Sequence, residues 1–274
     1  MTASEFISAV IVVAALLSLA MSGAWLIWRR TGNSGWIDTT WTFAVGLVGI
    51  AGALAPVVLL GLLSPRQAMV VLLVGAWTLR LGLHIASRSA GISDDPRYAR
   101  LAQEWGSDAP RQMFLLVQKQ ALVSIPLSLS IVLAGWNPAG LRLQDLLGAA
   151  VLAIGIAGEA LADVQLRRFR QEADGSRVCD VGLWRWSRHP NYFFQWLGWL
   201  AYPLLAIDLG GTYPWGWVAL AGPICMYWLL VHVSGIPPLE AHMLALRGDA
   251  FRAYQARTSA FFPLPPRTTT GAVG

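Results

Sequence analysis

Apolar residues run along the chain in seven long blocks, at residues 5–28, 39–63, 66–87, 112–134, 145–165, 192–209 and 214–234, parted by polar breaks. Each block comes close to or exceeds the roughly 20 residues a helix needs to cross a bilayer core. The pattern predicts an all-α, polytopic membrane protein with seven transmembrane helices. The first block has no basic segment before it, is too long for the apolar part of a secretory leader and ends in Arg29 and Arg30, so it is expected to stay in the membrane.

Composition agrees: 55% of the 274 residues are hydrophobic and 13% charged, too apolar and too charge-poor for a soluble domain of this length. The net charge of +5 sorts by topology. With an external N-terminus, the cytoplasmic breaks hold Arg29 and Arg30, then Arg88, Arg97, Arg100 and Arg111. They also hold Arg167, Arg168, Arg170, Arg177, Arg185 and Arg188, and finally Arg247, Arg252, Arg257 and Arg267. Only Arg66 and Arg142 fall on the other side. That asymmetry predicts an N-terminus outside and a C-terminus in the cytoplasm, and it accounts for the basic balance without nucleic acid as a partner. The excess of Arg over a single Lys119 points to a GC-rich bacterial genome, and so to an inner membrane. Cys179 and Cys225 are expected at different depths as free thiols, and no residue spacing resembles a metal site.

The long polar segments at 88–111, 166–191 and 235–274 all fall on the cytoplasmic side, which implies a cytosolic ligand. Asp94-Asp95-Pro96 reads as the cap of a short helix, a simple interfacial connector. Inside the spans, Arg80 and His84 stand four apart on one helix face, and Glu159 and Asp163 repeat that spacing, followed by Arg167 and Arg170. Gln118, Lys119 and Gln120 interrupt the fourth span, and Asp38 opens the second between Trp36 and Trp41. Ionisable groups at membrane depth are costly, so they face the bundle interior or a ligand. A structural reading pairs Asp38 with Arg80 and Glu159 with Lys119. As a set, forked arginines suit phosphate and carboxylates suit ribose hydroxyls, which together suggest a dinucleotide pocket built without the glycine fingerprint of a Rossmann fold.

The densest chemistry lies at the entrance to the sixth block, where Gly182-Leu183-Trp184 leads to Arg188-His189-Pro190-Asn191-Tyr192. Arg185 and Arg188 alone fit a positive-inside anchor with an aromatic belt. An imidazole and a carboxamide flanking a proline do not.

These residues, with Asp163, Arg167, Arg170 and the closing Thr258-Ser259-Ala260-Phe261-Phe262-Pro263, resemble the bacterial DUF1295 group, related to steroid 5-alpha-reductases and more distantly to sterol C14-reductases. Asp38 to Trp41, Arg80 to His84, Asp94 to Tyr98, and Ser234-Gly235-Ile236-Pro237 followed by Glu240 extend the likeness over nearly the whole chain. The resemblance implies one integral-membrane domain over residues 1–266, with a cofactor half at about 145–266 and a disordered tail at 267–274. It implies binding of NADPH from the cytosol and reduction of a carbon–carbon double bond conjugated to a carbonyl in a lipophilic, steroid- or isoprenoid-like substrate. Carried over by position, Asp163, Arg167, Arg170, Arg177, Arg188, His189, Asn191 and Tyr192 would hold the cofactor, with Tyr254 and Arg257 closing over it. The chain departs from the pattern in two places. The Gln-Glu pair that addresses the substrate carbonyl in steroid reductases is replaced by Asp38, and Phe194-Gln195 stand where relatives carry a glycine and an acid. Asp38 and His84 are the expected substrate-side catalytic pair.

Two other classes share these features. Isoprenylcysteine carboxyl methyltransferases have the Arg-His-Pro turn and use S-adenosylmethionine, which has no phosphates, whereas the ladder of Arg167, Arg170 and Arg177 favours a phosphate-bearing cofactor. A non-catalytic lipid-binding protein that kept the fold is the third reading.

Overall fold

The computed structural model describes residues 1–172 and 177–267, the side chains of residues 59 and 60 excepted. Its long elements are helices α1 (Ala3–Thr31), α2 (Gly35–Leu60), α3 (Pro65–Ala90), α4 (Pro96–Trp105), α5 (Ala109–Trp136) and α6 (Leu143–Glu172). They are followed by α7 (Pro190–Trp199), α8 (Ala201–Ala206), α9 (Ala221–Trp228) and α10 (Ile236–Arg257). The predicted tail lies, from residue 268 onward, outside the described residues.

Among the described residues six helical segments are long and apolar enough to cross a bilayer, the signature of a multi-pass membrane protein. The expected seventh, at 192–209, is broken: α7 has 10 residues, α8 has 6, and Leu200 is a turn between them. Pro203 supplies the reason. It has no N–H for the Trp199 carbonyl four residues back, and its ring crowds that carbonyl, so a helix cannot run straight through. Hydropathy registers the apolar run but not the missing hydrogen bond.

The chain forms two compact units. The first, Met1–Ala150 with Leu200–Cys225, is built around α2, which packs on α3 and α5, while α1 lies against α2 and α5. Small residues bring these helices together, as they must where lipid offers no hydrophobic drive for association. A Cβ added at Gly46 would lie 1.9 Å from the Thr78 hydroxyl, and one at Gly52 would lie 2.5 Å from a Val132 methyl. Arg66, which the sequence places at an outside loop, is buried. Its guanidinium pairs with Asp145 at 2.7 Å and donates to the carbonyls of Asn137, Ala139 and Gly140, while Arg142 pairs with Asp208 at 2.9 Å. A charge that marks topology in the sequence here closes one end of the unit.

The second unit, Val151–Trp199 and the chain from Met226 on, pairs the later part of α6 with α7 and α10. Gly155 and Gly198 let α6 and α7 touch backbone to backbone, since a Cβ on Gly155 would fall 2.8 Å from the Gly198 Cα. Phe194 fills the space over Gly158, where a Cβ would lie 2.2 Å from its ring. Phe261 is buried among Phe193, Trp196 and Tyr227, at centroid distances of 5.9, 5.7 and 5.3 Å, and anchors the segment that follows α10.

Candidate functional site

Two polar clusters stand out, one in each unit. In the second unit the chain after α6 makes a tight turn at Gly182–Arg185. Gly182 has φ +56, and a Cβ there would lie 2.5 Å from the Gln165 carboxamide, so both conformation and space require glycine. The Gln165 Oε1 accepts from the Leu183 N–H at 2.9 Å, and the Trp184 indole donates to the Ala162 carbonyl at 3.0 Å. The turn is thereby fixed to α6 and presents Arg188 and His189 at the start of α7.

Arg188 is committed within the protein. Its Nε and Nη2 fork onto Glu240 of α10 at 2.7 and 3.2 Å, and Nη1 donates to the Gln255 and Thr258 carbonyls. Its own main-chain N–H donates to the Ser259 carbonyl at 2.8 Å. Glu240 also accepts from Gln255 at 2.6 Å and from His189 Nε2 at 2.9 Å. A carboxylate with four donors, two of them from a guanidinium, is ionised and saturated. Burial pushes the His189 imidazole below its ordinary value, against the opposing pull of Glu240. The ring is therefore neutral at pH 7, with its proton on Nε2 because the partner there is a carboxylate. Nδ1 is left as a bare acceptor, buried and without a hydrogen-bond partner among the described residues. The ring stacks on Tyr192, at a centroid distance of 5.5 Å.

The other residues expected at this site fall into two groups. Asn191 opens α7 beside α6 and donates to Asp163 at 3.4 Å, while its own oxygen accepts from the Tyr192 N–H at 3.0 Å. Tyr254 donates to the Trp184 carbonyl and Arg257 pairs with Asp180, so both fasten α10 to the Gly182 turn. In contrast, Arg167, Arg168, Arg170, Arg177 and Arg185 are exposed, and among the described residues no carboxylate pairs with them. Arg177 lies over the Phe169 ring at 5.7 Å. The unit thus carries a set of uncommitted cations next to a buried, fully paired ionic centre. Arg247, not foreseen from the sequence, is half-buried on α10 with its Nε buried and unpartnered among the described residues.

In the first unit, Asp38 of α2 accepts from Arg97 and Tyr98 of α4, at 2.5 and 2.8 Å. Arg97 is held in turn by Asp95, which also caps α4 by accepting from the Arg97 N–H at 3.0 Å. The Tyr98 hydroxyl accepts from Gln120 Nε2 of α5 at 2.9 Å. Asp38 therefore accepts at both oxygens, and the hydroxyl it orients belongs to Tyr98. Sequence reasoning missed Tyr98 because Asp94 to Arg100 reads as a connector. The signal available was Gln120, one of three consecutive polar residues that interrupt an apolar span, which needs a partner. His84 and Arg80 are half-buried on one face of α3, and Lys119 is exposed.

No curated protein and no solved structure matches the chain. Residues 24–258, which hold both clusters, match the family described as "Protein of unknown function (DUF1295)". A match over most of the chain makes this protein a member of the DUF1295 family.

Proposed function

We propose that the protein is an NADPH-dependent membrane reductase that saturates a carbon–carbon double bond conjugated to a carbonyl in a lipophilic substrate. It would act in a bacterial inner membrane with its basic segments in the cytosol. The observation that carries this reading is the set of exposed arginines at the end of α6 and in the loop beyond it, which lack carboxylate partners among the described residues and lie in the same unit as an open His189 Nδ1. Several uncommitted guanidinium groups suit a polyanionic ligand, and an orphaned buried acceptor suits a ligand N–H. The donor set fits the cofactor. Arg167, Arg170 and Arg177 would hold phosphates, Asp163 ribose hydroxyls, and Asn191 with His189 the carboxamide. Arg188, saturated by Glu240, would act by holding the turn.

When bound, the nicotinamide supplies the hydride. Addition of hydride to the β carbon moves an electron pair onto the carbonyl oxygen, and the protein's part is to stabilise that charge by a hydrogen-bond donor until the α carbon takes a proton and the carbonyl is re-formed. Tyr98 would supply that donor. Its hydroxyl can turn from Asp38 toward a substrate oxygen while Gln120 Nε2 still donates to it, and Asp38 keeps the ring in place. His84 is a second donor candidate on α3.

The test is titration of the detergent-purified protein with NADPH, NADH and S-adenosylmethionine, following tryptophan fluorescence, since Trp184 and Trp186 flank the Arg188-His189 turn. Preferential binding of NADPH supports the reductase reading. Tight binding of S-adenosylmethionine with no response to NADPH overturns it in favour of a lipid methyltransferase.

A further inference from the structure

The direction of hydrogen bonding around Tyr98 is fixed by its partners, and it leaves one atom unaccounted for. Asp38 accepts from Arg97 at Oδ2, and the single proton of Tyr98 goes to its Oδ1. The Tyr98 oxygen must then accept from Gln120, which sets the NH2 end of that carboxamide toward Tyr98. Flipping the amide would set two acceptors against one proton. Gln120 Oε1 consequently points away from the trio, and it is buried with no hydrogen-bond partner among the described residues.

The neighbouring hydroxyl cannot serve it. Ser124, one turn along α5, donates to the Gln120 main-chain carbonyl at 2.6 Å and accepts from the Trp41 indole at 2.6 Å. A buried acceptor without a donor is destabilising, and more so in a helix of bilayer length where water does not compete. Such an atom in a native structure calls for an explanation, and a ligand donor is one.

We propose that Gln120 is a substrate-recognition residue whose Oε1 accepts a hydrogen bond from a hydroxyl group of the lipophilic substrate, beside the oxygen addressed by Tyr98. This rests on the substrate's polar end binding at Tyr98, as in the reductase reading, and narrows the substrate class. The ligand brings a donor as well as an acceptor to this cluster, as a hydroxylated isoprenoid or steroid does and a lipid with a lone ketone does not.

Two probes that differ only in the donor test this: geranylgeraniol and its methyl ether, titrated without NADPH against the full-length protein in detergent. The alcohol is expected to bind about tenfold tighter than the ether. Gln120→Met, which removes the acceptor together with the Nε2 donor to Tyr98, should bring the two within about twofold. Equal affinity for the two probes in the wild type, failure of both to bind, or discrimination retained in Gln120→Met would overturn the proposal. If Gln120→Met does not fold, the wild-type comparison decides alone. Preference for the alcohol with no response to NADPH would remove the reductase reading and leave this one. NADPH binding without that preference would do the reverse.

Discussion

The two polar clusters use similar residue types to opposite ends. Around Glu240 every acceptor position is filled: a forked arginine, a glutamine and a histidine converge on one carboxylate, and Arg188 also gathers the carbonyls of Gln255 and Thr258. Around Asp38 the network is similarly ordered but ends in an unsatisfied Gln120 Oε1 and in a tyrosine proton that can be redirected. A saturated ionic centre is architecture, because it holds chain segments and has nothing left to offer. Open valence marks chemistry. By this measure the proposed cofactor contacts of the second unit are, more than Arg188, the arginines of α6 that lack carboxylate partners among the described residues and the bare Nδ1 of His189.

Substitutions can break or sharpen this contrast. The largest effect is expected from Glu240→Ala, which leaves the mostly buried Arg188 without its counter-charge. Removing one member of such a pair costs about 3 kcal/mol or more, to be read as a lowered unfolding temperature in detergent. An unchanged melting curve would show that the centre is not architectural. Tyr98→Phe keeps the ring but removes the proton, and should lower enone turnover about 100-fold while NADPH affinity stays the same. His84→Ala should also spare cofactor affinity and lower turnover, and an unchanged rate would strike His84 from the catalytic set. Arg170→Ala should weaken NADPH about tenfold and NADH much less if that guanidinium meets the 2′-phosphate, whereas equal weakening of both would sink that assignment.

The smallest effect concerns pH. The native His189 value lies below the ordinary 6.5, so the unfolded chain takes up a proton there before the folded one does. The contribution of His189 to stability is present above pH 6.5 and is lost as pH falls below it, by less than about 1.4 kcal/mol for each unit of depression. Melting temperatures at pH 7.5 and 5.5 should show this loss in the wild type and a shallower one in His189→Gln. An equal slope in both would mean that the ring does not titrate in this way.

Particular residues show where sequence reasoning reached and where it stopped. Asp95 and Pro96 mark the start of α4 because capping is a local matter of a side-chain acceptor and a preset φ. Gly182 is likewise legible once its positive φ and its closeness to Gln165 are known, although the sequence alone offers only a glycine before two large residues. The predicted roles of Asp38 and Arg188 depend on what faces them, and those partners lie 59 and 52 positions away along the chain. No spacing rule connects such residues.

What the sequence determines by itself is the class of molecule. Hydropathy and length alone give long membrane-crossing helices, because bilayer thickness is a fixed ruler and each helix satisfies its own backbone. Only the tertiary structure decided that Arg66 is a buried tie to Asp145 and that Asp38 holds the Tyr98 hydroxyl. The physical reason is the same in each case. Whether a polar group is satisfied or left open depends on the donors and acceptors that folding brings to it, and these come from distant parts of the chain.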